Sequence, residues 1–140
     1  MQIANVLDAI GGLVAQLKIY AAKLPTIVHL SSVPTGVKPK YEAVEEYEEI
    51  VSRFRNQSAG TPYKGLNELF VESLEAFEGG RLLGSVHPLL SVLDHLERME
   101  RDKEIKIGRI DETRTAEYRS TLNKILPGNK PELDGAGRGM

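Results

Sequence analysis

Apolar residues recur at three- and four-residue steps from Ile3 to Leu24, and Pro25 closes the run. Ile3, Val6, Leu7, Ile10, Leu13, Val14, Leu17, Tyr20, Ala21 and Leu24 fall along one side of a helix, while the other side carries Ala4, Ala9, Gly11, Gly12, Ala15 and Ala22. A helix of this kind has to bury its stripe, and its small residues let a second element approach its backbone closely. Gly11 and Gly12 each cost about 1 kcal/mol of helix propensity relative to alanine, so packing must hold the segment helical.

The pattern changes after Pro25. Thr26 to Val33 is short, apolar and β-branched around His29, and Pro34-Thr35-Gly36 ends it, which reads as an extended stretch or short strand. Helical spacing returns with Val44, Tyr47, Ile50, Val51 and Phe54, predicting a second helix over about residues 39–55. Five glutamates (Glu42, Glu45, Glu46, Glu48, Glu49) fill its first part and Arg53 and Arg55 its last turn, the order that the helix dipole favours. A polar loop from Asn56 to Gly65 precedes a third helix built on Leu66, Leu69, Phe70, Leu74 and Phe77, which stops at Gly79-Gly80.

Residues 81–87 read as a connection broken by Gly84. Pro88 fits the first turn of a fourth helix bearing Leu89, Val92, Leu93, Leu96 and Met99. Pairs four residues apart, Glu97 with Arg101 and Arg98 with Asp102, support its solvated end at about 0.2 to 0.5 kcal/mol each. Ile105, Ile107 and Ile110 alternate around Gly108 as a short strand or a connector, and pairing with Ile27 to Leu30 would give a minor two-stranded β element. Asp111 or Thr113 could cap a fifth helix carrying Tyr118, Leu122, Ile125 and Leu126, stopped by Pro127-Gly128. The expected fold is therefore mainly α. A single small helical domain of four to five helices spans residues 1–126, and an irregular Gly/Pro-rich tail covers 127–140, with Leu133 its one sizeable apolar residue.

Composition narrows the function classes more than it selects one. A net charge of -2 gives no bulk attraction to nucleic acid or anionic lipid, and the absence of cysteine removes thiol chemistry and disulfides. The absence of tryptophan, with three phenylalanines and five tyrosines, argues against a stacking platform for sugars or single strands. The first segment makes a poor export signal or membrane span: Asp8 is the only charge before Lys18, and Asn5, Asp8, Gln16 and Lys18 interrupt its apolar run. A cytoplasmic location, or incorporation in a virion assembled there, follows as the expectation. Asn56-Gln57-Ser58 then has no secretory setting in which to carry a glycan.

Candidate chemistry is thin. Glu68, Glu72 and Glu75 share one stripe of the third helix, but carboxylate-bridged metal sites also need Glu-x-x-His partners, and this chain has none. The stripe reads as a solvated acidic face. His95 sits beside Asp94 and near Glu97, yet Asp94 points about 100° away around a helix and cannot orient the ring. Neither His29, His87 nor the serines Ser31, Ser32, Ser85 and Ser91 fall into an order of nucleophile, base and acid. Gly79-Gly80-Arg81-Leu82-Leu83-Gly84 lacks the Lys-Ser/Thr of a phosphate loop and follows a helix instead of a strand, so a helix connection explains it. Lys106, Arg109, Arg114, Arg119 and Lys124 outnumber their acidic neighbours but gather into no single stripe, which leaves nucleic-acid binding unfavoured.

No cofactor, metal or small-molecule substrate is implied. The sequence points to a non-enzymatic structural or adaptor subunit of a larger, homo-oligomeric assembly, such as a virus or phage particle, whose partners are copies of itself and other subunits. Its expected interaction surface is Ile3, Leu7, Ile10, Val14, Leu17, Ala21 and Leu24 in the first helix with Leu133 in the tail. The alternatives are a helical regulatory or inhibitor protein binding one partner through an acidic face, and a small enzyme or metal-binding protein using His95 or the Glu68, Glu72, Glu75 stripe.

Overall fold

The stripe of the first helix is the axis of the molecule. In the computed structural model, which describes residues 1–22 and 39–125, it forms α1 (Ile3–Ala22), and four more helices surround it: α2 (Tyr41–Ser58), α3 (Asn67–Glu78), α4 (Leu82–Arg101) and α5 (Arg109–Ile125). A 3-10 turn, Lys64–Leu66, leads into α3. Among the described residues there is no strand. Ile105 and Ile107 lie in the connector between α4 and α5, and Ile110 already belongs to α5, so the expected β pairing is absent on this side; Ile27 to Leu30 lie outside the described residues.

Pairings between side chains fix the helix directions. Gly12 faces Ile50 and Gln16 donates to Glu46, so positions rise along α1 as they fall along α2, and the two run antiparallel. The same holds for α2 and α3 (Phe54 against Phe70, Tyr47 against Phe77) and for α3 and α4 (Ser73 against Ser85, Ala76 against Gly84). Arg119 of α5 reaches Asp94 and Glu97 of α4, while Glu100 accepts from the Ile107 N–H, which makes a further antiparallel hairpin. Asp8 meets Arg114 and Gly11 meets Tyr118, so α5 closes the bundle parallel to α1.

Period and burial agree. Val6, Leu7, Ile10, Leu13, Val14, Leu17 and Tyr20 of α1 meet Tyr47, Val51 and Phe54 of α2, Phe70 and Phe77 of α3, and Val86, Leu89, Val92, Leu93 and Leu96 of α4 in one core. Tyr47 stacks on Phe77 with ring centroids 4.3 Å apart, and Tyr20 meets the same ring edge-on at 5.7 Å. Burial of such side chains stabilises by roughly 1.5 to 3 kcal/mol each, the term that offsets the poor propensity of Gly11 and Gly12.

Two helix ends close in the same way. The Arg81 N–H bonds the Ala76 carbonyl and the Gly80 N–H that of Phe77 after α3; the Glu104 N–H bonds Met99 and the Lys103 N–H bonds Glu100 after α4. Both are Schellman closures, which need a left-handed residue. Gly80 supplies it at φ 74°, as the double glycine implied, but after α4 the residue is Lys103 at φ 64°, where a side chain is strained.

Three boundaries differ from expectation. α2 continues through Asn56 and Gln57 to Ser58. α4 begins at Leu82, so Pro88 lies inside the helix and not in its first turn. Leu82, Ser85, Val86, Leu89, Val92, Leu93 and Leu96 are all buried in one register, and this outweighs the hydrogen bond that the proline cannot donate. α5 starts at Arg109, ahead of both expected caps: the Thr113 hydroxyl instead donates back to the Arg109 carbonyl, and the Glu112 N–H bonds Gly108.

Candidate interaction surfaces

The residues expected to form an intersubunit surface are mostly interior to this chain. Leu7, Ile10 and Leu17 have no exposure and Val14 has 4%, all within the core cluster, and Ile3 and Ala21 pack partly buried against it. Leu24 and Leu133 lie outside the described residues. The small residues also find their neighbours at home, because a Cβ added at Gly11 would stand 2.5 Å from the Tyr118 hydroxyl and one at Gly12 would stand 2.8 Å from Ile50 Cδ1. By length and composition α1 could cross a membrane, yet here it serves as a core helix.

The candidate catalytic groups do not converge. Asp94, the sequence neighbour of His95, is engaged by Arg119 Nη1 at 2.8 Å, and Glu97 takes Arg119 Nη2 at 2.9 Å instead of the expected Arg101. His95 is part-buried, and its Nδ1 has no hydrogen-bond partner among the described residues. His87 is exposed on α4, and His29 lies outside the described residues. Glu68, Glu72 and Glu75 are exposed, and no group of three or more His, Asp or Glu among the described residues is placed to hold a metal ion. Gly79 and Gly80 turn the chain between α3 and α4, where the Gly80 carbonyl accepts from the Tyr20 hydroxyl at 3.0 Å.

Of the candidate serines, Ser31 and Ser32 lie outside the described residues, and Ser85 belongs to a buried polar relay. Ser73 and Ser85 exchange hydroxyl-to-carbonyl bonds, each 2.7 Å long, across the α3–α4 seam. The Ser73 hydroxyl has one proton and gives it to the Ser85 carbonyl, so Tyr47, 2.5 Å away, must donate its own to Ser73 Oγ. Burial pushes the Tyr47 phenol well above its ordinary range, with the serine hydrogen bonds opposing in part. Every proton here is committed to a structural bond. The sequence signal was the run of small residues Ser73, Ala76, Gly84 and Ser85, which lets the helices close until a Cβ on Gly84 would lie 2.9 Å from that of Ala76.

What the molecule offers outward is charge. Between residues 41 and 78 there are nine acidic and three basic residues, leaving eleven acidic and fifteen basic elsewhere. A net charge of -6 on the α2–α3 segment thus opposes +4 on the remainder of the sequence. Glu42, Glu45, Glu46, Glu48 and Glu49 of α2 are exposed, as are Glu68, Glu72, Glu75 and Glu78 of α3. The basic set of the fifth helix is reduced by contrast, since Arg114 pairs with Asp8 at 2.7 Å and Arg119 with two carboxylates. Beside it an open groove of about 580 Å³ runs between α4 and α5, lined by Glu97, Glu100, Glu112, Arg119, Asn123 and Lys124 among others. Among the described residues three large apolar side chains project into solvent: Ile19, Tyr41 and Ile110. No protein-family model, curated protein or solved structure matches the chain.

Proposed function

We propose that this chain is a non-enzymatic structural or adaptor protein that acts by binding another protein, with the acidic face of α2 and α3 as the contact. The observation that supports this reading is the segregation of charge: a chain of net charge -2 carries -6 over residues 41–78, the segment of α2 and α3, whose glutamates are all exposed. Like charges so gathered repel one another, and a basic partner surface relieves that repulsion, steering association and fixing its orientation. Arg53 with Glu49 is an ion pair that answers part of it from within.

The wider reading, a subunit of a homo-oligomeric assembly or a virus or phage particle, rests on the terminal segments. With the α1 stripe used in its own core, such an assembly would be held by surface contacts and by residues outside those described. The two proposals separate in one experiment. The chain is purified from its native source under low salt, its mass is measured by light scattering, and the measurement is repeated on Glu45→Lys/Glu48→Lys/Glu68→Lys/Glu72→Lys with folding checked by circular dichroism. The proposal expects a co-purifying protein that the reversed-charge variant loses. A defined oligomer indifferent to those changes would favour the assembly reading, and a strict monomer with no companion at any salt would refute both.

A further inference from the structure

We infer that α5 is a strap that undocks as a unit from α1 and α4 while the other four helices stay folded. The first observation is an imbalance of burial: α1 buries seven residues and α4 eight, whereas the 17 residues of α5 bury Leu122 alone. Tyr118 and Ile125 pack partly buried against the core beside it, and the other fastenings are polar. Arg114 bonds Asp8 of α1, and Arg119 bonds Asp94 and Glu97 of α4, all three within 3.0 Å. Their carboxylates are more than half exposed, so water and salt compete for each pair.

The second observation is the seam itself. The groove of about 580 Å³ between α4 and α5 is open to solvent, and most of the residues that line it are charged or polar, so water already reaches between the two helices. The connector is built to turn: Lys103 holds the left-handed conformation, and nothing lies within 4 Å of a Cβ added at Gly108. Beyond the helix-closing bonds of Lys103 and Glu104, the connector is tied back to α4 by the Ile107 N–H, which donates to Glu100 Oε2 at 3.3 Å. Elements with few buried apolar contacts open below the global unfolding free energy, and their amides report it. Release of α5 bares the flank of α1 around Gly11 and the flank of α4 around Asp94 and Glu97.

Native-state hydrogen exchange on the full chain tests this. Amides of α5 should exchange at least about tenfold faster than those of α1 and α4, with a weaker dependence on denaturant, the signature of local opening. Gly11→Ala should then act as a wedge: its methyl must displace the Tyr118 ring, so exchange in α5 should rise again while α2 and α3 hold their rates. Gly12→Ala meets the mobile tip of Ile50 and should leave α5 unchanged. The inference is overturned if α5 shares the rate and denaturant slope of α1 in the unmodified chain. It is equally overturned if Gly11→Ala unfolds all five helices together.

Discussion

Replacing Ser73 by alanine should cost far more than the loss of one small hydroxyl suggests. Ser73 Oγ donates to the Ser85 carbonyl at 2.7 Å and accepts from the Tyr47 phenol at 2.5 Å, with all three residues buried. Each bond contributes about 1 kcal/mol net, and the phenol left behind without a partner adds a desolvation penalty of about 1 to 3 kcal/mol. Ser73→Ala should therefore lose about 3 to 5 kcal/mol. Tyr47→Phe removes the donor and strands nothing, because Ser73 still gives its proton to Ser85, so it should lose only about 1 kcal/mol. In the double variant no phenol remains to be stranded, and the total should be about 2 kcal/mol, less than Ser73→Ala alone. Urea denaturation of the four proteins closes the cycle, with a coupling of about 2 to 4 kcal/mol expected. If the two single losses simply add, the phenol was never held by Ser73 and the relay is wrong.

Three other perturbations are as specific. Lys103→Gly should gain about 1 kcal/mol in thermal or chemical denaturation, because glycine removes the side-chain strain at φ 64° while keeping both closing hydrogen bonds. Ile10→Asp should unfold the domain, since Ile10 has no exposure and an unpaired buried carboxylate costs several kcal/mol; a folded but dissociated species by circular dichroism and light scattering would contradict the placement of α1. Stability should fall as pH rises beyond about 10: burial raises the phenols of Tyr20, Tyr47 and Tyr63, the last with help from Asp111, so the unfolded chain loses protons there that the fold retains. Denaturation midpoints across the alkaline range check the slope, and tyrosinate absorbance that appears before unfolding would reverse it.

The helices were legible because their apolar periods are long and unbroken, and those periods mark which faces are buried. Where single-residue signals competed with the period, the period won. Pro88 looked like a helix start, but Leu82 and Val86 already stood in register with Leu89 and Val92, and the shared buried face carried the helix back a turn and a half. Lys103 could not be recognised as a helix stop, since the left-handed role normally signals itself by glycine. Charge pairing was the least readable level: local spacing assigned Glu97 to Arg101, while the partner that reaches it, Arg119, comes from another helix 22 residues away. The acidic face of α2 and α3 was visible at once, because exposed glutamates need no partner to be placed.

The parallel contact of α1 with α5 has a bearing on how the chain reaches this fold. Asp8 and Arg114 are 106 positions apart, whereas Ser73 and Ser85 are separated by only 12. Closing a short loop sacrifices less chain entropy than closing a long one, so the α3–α4 hairpin can assemble early and the α1–α5 seam last. On a ribosome the order is stricter still. The most apolar helix emerges first, waits for α2 and α4 to be synthesised, and gains its final neighbour only when α5 clears the exit tunnel. Through that interval Leu7, Ile10 and Val14, which are fully or almost fully buried in the finished fold, stand without their full complement of neighbours.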